Sequence, residues 1–247
     1  MFLFQSPPPT RFDLNFNILG IPVRVHPMFW LLAALLGFGT GQVLIWVFVV
    51  FFSILIHEVG HALAFRRYGQ DSYIVLHFMG GLIIPDSLRW GNDRANVSLS
   101  PNQQIFISLA GPFAGFILAG LVIGGVIFSG GMISVNFLLG FIPIPQLTFL
   151  PFGNNAVYAL LVMLLWVNVF WGLINLLPVF PLDGGQVARN VLIQYDPWDG
   201  ARKSLWLSVI TGGLIALGAL LFLNSIYMAF LFGMLAFQSY QSLSGRY

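Results

Sequence analysis

The sequence predicts an α-helical polytopic membrane protein with about six transmembrane helices and a small β-sheet at the cytoplasmic interface. Three observations predict it. Of 247 residues, 58% are hydrophobic and 7% are charged, against about 25% charged in an average soluble domain. Apolar runs near the roughly 20 residues that a bilayer crossing needs recur along the chain. All ten basic residues fall on one side of the resulting span map. A soluble enzyme of this size would need far more polar surface, so that class is excluded.

Hydropathy and breaker residues place spans at about 27–40, 43–66, 104–129, 156–177, 205–223 and 226–241. Gly37, Gly39, Thr40, Gly41 and Gln42 separate the first two, whose combined run is too long for one crossing. On this map Arg11, Arg24, Arg66, Arg67, Arg89, Arg94, Arg189, Arg202, Lys203 and Arg246 share one membrane face. The opposite loops, about 39–42, 130–155 and 223–225, carry no charge of either sign. The positive-inside rule then puts both termini in the cytoplasm and requires an even number of spans. Six satisfies this, whereas five or seven would scatter the arginines. Gly130–Asn155 holds Pro143, Pro145 and Pro151 and is expected to be an interfacial or re-entrant loop, because prolines at that density interrupt a helix.

Two pieces read as strand pairs, at about 12–26 and 72–85. Phe12 to Ile18 alternates with period two, and Ile21–His26 follows Gly20 as a return strand. Ser72–Phe78, Gly80-Gly81 and Leu82–Pro85 carry a hairpin signal. The whole chain, 1–247, is expected to be one membrane-embedded domain. No cleavable signal peptide is evident. The absence of cysteine excludes disulfides, thiolate ligands and cysteine nucleophiles. That absence and the brief ends fit the inner membrane of a prokaryote, and nothing points to a nucleic-acid partner.

The chemistry concentrates in Ile56-His57-Glu58-Val59-Gly60-His61, at the cytoplasmic end of the second span. Positions i and i+4 share a helix face, so His57 and His61 can offer two imidazole nitrogens to one metal ion. Glu58, the only glutamate in the chain, stands next to the first imidazole, placed to take a proton from an attacking water. A catalytic zinc site usually has three protein ligands. Asp183 is the best-placed carboxylate, because two prolines and two glycines in Asn175–Gly185 break the fourth span around it. The other reading of Asp183 is an ordinary helix cap. His26 and His77 are rival third ligands, and Arg66 and Arg67 read as interfacial anchors.

These residues resemble the site-2 protease family of intramembrane zinc metalloproteases, closest to the subgroup that includes the bacterial sporulation processing protease. The resemblance is carried by Val25-His26-Pro27, His57-Glu58-Val59-Gly60-His61, Gly80-Gly81, Ser108-Leu109-Ala110-Gly111-Pro112 and Asn175–Gly185, in that order. It implies one zinc ion held by His57, His61 and Asp183, Glu58 as catalytic base, and a role for Asn175 in binding substrate or the oxyanion. It also implies a single-span membrane protein as substrate, such as an anti-sigma factor, a membrane-bound transcription regulator or a remnant signal peptide. The PDZ and CBS domains common in the family do not fit in this chain. The hairpin Tyr73–Pro85 is expected to offer a free strand edge, through Ile74, Leu76, Gly80 and Gly81, to an extended substrate. Gly111, Gly115 and Ala119 read as a helix-packing face. The alternatives are a membrane metal-binding protein or transporter using the same donors, and an inactive homologue acting as a scaffold. The far-side half has no carboxylate or His for a transport path, and an intact Glu58 is not needed by a scaffold.

Overall fold

The structure, a computed structural model, describes residues 6–85, 99–138 and 142–245. Arg89, Arg94, Arg246, Asp86 and Asp93 lie outside the described residues. In chain order the elements are β1 (Leu14–Ile18), β2 (Ile21–Val25), α1 (Pro27–Gly37), α2 (Val43–Arg67), β3 (Ser72–His77) and β4 (Gly80–Pro85). There follow α3 (Pro101–Phe128), β5 (Met132–Leu138), β6 (Ile142–Phe149), α4 (Asn155–Trp166), a π-helical turn (Val167–Trp171) and α5 (Gly172–Asn175). The last three are α6 (Asp183–Tyr195), α7 (Gly200–Leu221) and α8 (Ile226–Leu243).

Among the described residues four helices are long and apolar enough to cross a bilayer: Val43–Arg67, Pro101–Phe128, Asn155–Asn175 and Gly200–Leu221. The expected first span is α1 with a 3₁₀ turn at Phe38–Thr40, a shorter apolar helix. The expected sixth corresponds to α8, whose last two turns carry Gln238, Ser239, Tyr240, Gln241 and Ser242 and dilute its apolar character.

The chain divides into two compact units. The first holds α1, α2, α4 and most of α3, together with both sheets. Its four-stranded sheet has the order β1-β2-β3-β4, antiparallel except for the parallel β2–β3 pair. Inward positions alternate as period two requires: Ile21, Val23 and Val25 of β2 join Ile74 and Leu76 of β3 against Ile54, Leu55, Val59 and Ala62 of α2. The sheet therefore grips one face of α2 and leaves the face carrying His57 and His61 to others. The β1–β2 turn is made by Leu19 (φ 52°) and Gly20 (φ 77°), and Arg66 Nη1 donates to Leu19 O at 2.8 Å. Arg66 thus ties the end of α2 to the sheet rather than serving only as a surface anchor.

The stretch expected as a loop over 130–155 is instead mostly an antiparallel hairpin of β5 and β6. Ile133 to Phe137 alternates apolar and polar residues, which suits a strand. Pro143 and Pro145, two residues apart in β6, turn their missing N–H groups to the same side, which a two-stranded sheet tolerates at its outer edge. Prolines exclude a helix here without excluding a strand. Asn154 then caps α4, its Oδ1 accepting from Ala156 and Val157 N–H, both at 3.1 Å.

The second unit holds α6, α7 and α8. Gly212 of α7 lies against Phe232 and Ala236 of α8, where a Cβ would stand 3.2 Å from both the Phe232 carbonyl and Ala236 Cβ.

Candidate metal centre

One helix supplies the pair of imidazoles. His57, Glu58 and His61 of α2 are 7%, 7% and 8% exposed. Helical spacing brings the rings together at 4.8 Å between centroids, with the planes 81° apart. The two Nε2 atoms face one another at 3.1 Å. Two zinc–nitrogen bonds of about 2.0–2.1 Å at a tetrahedral angle hold their nitrogens roughly 3.3 Å apart. The pair therefore fits one edge of a zinc coordination sphere, and its donors are of the type zinc takes.

Two glycines make this arrangement possible. A Cβ on Gly111 of α3 would overlap the His61 ring, and one on Gly81 of β4 would overlap the Glu58 carboxyl group. Gly60 in turn lets α2 approach α3, where a Cβ would meet Ala110 O at 2.5 Å. The spacing of Gly111 reads as helix packing alone, yet what it accommodates is the His61 ring. Gly111→Ala should weaken zinc binding and cleavage together, whereas Gly81→Ala should lower cleavage and leave zinc in place. Overpacking of this kind costs about 1–3 kcal/mol, roughly a five- to hundredfold effect. Zinc per chain and substrate turnover, measured on both variants, check the contrast.

The free edge expected at Ile74 and Leu76 is corrected by the sheet order. β3 is paired with β2 on one side and β4 on the other, and both side chains are fully buried. Among the described residues the outer strand of this hairpin is β4, so Gly80 and Gly81 lie on a sheet edge while Ile74 and Leu76 are core.

His26 and His77 hold turns. Each accepts the backbone N–H two residues on, from Met28 at 3.2 Å and Met79 at 3.3 Å, through Nδ1. Neither joins a metal-sized cluster of donors among the described residues. Burial, with His26 and Arg24 nearby, holds the His77 pKa below its ordinary 6.5. The unfolded chain takes up that proton near pH 6.5 and the folded chain resists it, so stability present above that pH is lost as the pH falls. Melting temperature should drop between pH 7 and 5, and His77→Asn, which keeps an acceptor for Met79 N–H, should flatten the drop.

In the second unit, Asp183 opens α6 and is half-buried. The turn before it is held by Val179 N–H to Leu177 O (2.7 Å), Leu182 N–H to Val179 O (2.9 Å) and Phe180 N–H to Ser208 Oγ of α7 (2.9 Å). A side chain at Gly184 would overlap the Leu176 carbonyl, and one at Gly185 would crowd Val179 and Phe180. The Gly-Gly pair thus folds the loop onto α6 and fixes the residue beside it. Asn175 ends α5 and is 7% exposed.

A profile of peptidase family M50 matches residues 45–217, which include both the paired histidines and Asp183. The chain belongs to this family, that of the site-2 proteases. It is 27% identical over 229 residues to a zinc metalloprotease of Methanocaldococcus jannaschii, covering 87% of this chain and 58% of that one. The M50 chain thus spans little more than half the length of that curated relative. Its fold is similar to a solved site-2 protease from Methanocaldococcus jannaschii, with a TM-score of 0.52, 23% identity, and coverage of 94% and 95% of the two chains.

Two parts of this M50 chain escaped the sequence reading. The helix α6 was hidden by the prolines and glycines before it, although it is amphipathic over thirteen residues. Asn168, in the π-helical turn, is 3% exposed inside an apolar span. A lone Asn among apolar residues was the available signal.

Proposed function

We propose that this chain is a zinc-dependent intramembrane endopeptidase that cuts a single-span membrane protein in or near its membrane segment. The observation that carries the reading is the facing pair of Nε2 atoms on α2 with the Glu58 carboxyl group buried beside it. We assign the ion to His57 and His61 of α2 and Asp183 at the start of α6. Two imidazoles and a carboxylate form a ligand set used by catalytic zinc proteases. When bound, zinc lowers the pKa of a water toward ~7 and polarises the scissile carbonyl.

The remaining work falls to the chain. Glu58 takes the proton of the attacking water and returns it to the leaving nitrogen, which is why an ionisable group is retained inside an apolar helix. Asn175 offers an amide donor to the developing oxyanion, an effect worth about 3 kcal/mol in comparable sites. A helical substrate buries its own amides and must unwind before attack. The edge of β4 can receive the unwound segment as an added strand, and Gly81 brings that edge against Glu58.

We place both termini on the cytoplasmic side of a prokaryotic inner membrane, with α1 and α8 completing six crossings. Membrane-bound transcription regulators, anti-sigma factors and remnant signal peptides fit as substrates. The test is cleavage of a reconstituted single-span substrate by the purified protein and by Glu58→Gln. Cleavage by the first alone supports the reading, and equal cleavage by both overturns it.

A further inference from the structure

Asn168 is a buried polar side chain of the first unit that the chemistry above does not use. Its Nδ2 donates to Ser53 Oγ of α2 at 2.9 Å and to Leu164 O at 2.9 Å. Ser53 precedes His57 by four residues and His61 by eight, so all three lie along one face of α2. On its other side the carboxamide meets α3 at Gly115, where a Cβ would stand 3.4 Å from Asn168 Oδ1. One turn away on α3, Gly111 accommodates the His61 ring. A carboxamide among apolar helices is unfavourable unless bonded, and π-helical turns recur at functional sites.

Accepting His57 and His61 as zinc ligands, we propose that Asn168 is a positioning residue for the metal-binding face of α2. Its hydrogen bond to Ser53 fixes the rotation of α2 one turn from His57. The glycine face of α3 leaves room for the carboxamide at one level and the His61 ring at the next. The residue acts through α2 and does not touch the reacting atoms.

The test measures zinc affinity by chelator competition on the full chain in detergent, with secondary structure and melting temperature recorded alongside. Ser53→Ala and Asn168→Ala should each weaken zinc binding about tenfold, as for other groups that orient ligands. Their combination should lose no more than either alone, because they share one bond. Adding Gly115→Asn to Asn168→Ala should restore affinity by supplying the carboxamide from the opposite helix. Ser53→Ala removes only the acceptor and carries the test should Asn168→Ala not fold.

A lowered melting temperature with unchanged zinc affinity would show a purely structural role and overturn the proposal. Independent, additive losses would overturn it as well. Wild-type protein that binds zinc no better than His57→Ala would instead overturn the zinc reading, and this inference with it.

Discussion

Glu58→Gln is expected to keep one zinc per chain and to lose substrate cleavage by about 10²–10⁴-fold, the usual contribution of a positioned general base. The amide is nearly the size of the carboxyl group, so the gap beside Gly81 that accommodates it stays filled. It cannot accept and return a proton. The neighbouring imidazoles keep their place on the helix face, so the metal should remain. Zinc analysis and gel-based cleavage on the same preparations separate the two effects. Loss of zinc in this variant would mean that Glu58 serves the site as a ligand or brace.

Asp183→Ala is expected to empty the site. Removing an outer-shell partner of a ligand lowers metal affinity by about 10–100-fold, and loss of one of three ligands should exceed that. The variant should fold, because the loop is held by its own backbone bonds, by Ser208 and by the close fit of Gly184 and Gly185, none of which involves the Asp183 side chain. Asp199→Ala, at the start of α7, serves as the control that removes an acidic group and leaves zinc bound. Equal zinc content in Asp183→Ala and wild type would leave Asp183 as an ordinary acidic residue in the first turn of α6, whose N-cap is Leu182.

What could be read from the sequence was what depends on local geometry. The pairing of His57 with His61 follows from four-residue helical spacing, and the structure sets their nitrogens face to face. The strands at 14–25 and 72–85 follow from alternation and the hairpin signal at Gly80-Gly81, although the turn itself is Phe78-Met79 and both glycines lie in β4. The long apolar helices follow from hydropathy. What was missed depends on partners distant in sequence. Nothing near Ile74 announces its parallel pairing with Val23, which converts an expected edge into the middle of the sheet. Gly81 and Gly111 look like other glycines until Glu58 and His61 are packed against them. Asn168 gains meaning from Ser53, 115 residues earlier. Pro143 and Pro145 argue against a helix after α3, but a missing N–H is also compatible with a two-stranded sheet, which is what forms there.

The proposed protease activity requires one zinc ion held by His57 and His61 of α2, with Asp183 of α6 as the proposed third ligand. X-ray absorption at the zinc edge, on cleavage-competent wild-type protein with metal content measured in parallel, tests it most directly. The expected result is one zinc per chain, nitrogen and oxygen ligands at about 2.0–2.2 Å, and multiple scattering from two imidazoles that is lost in His57→Ala. An active preparation without stoichiometric zinc, or a zinc shell lacking the two imidazoles, would contradict it.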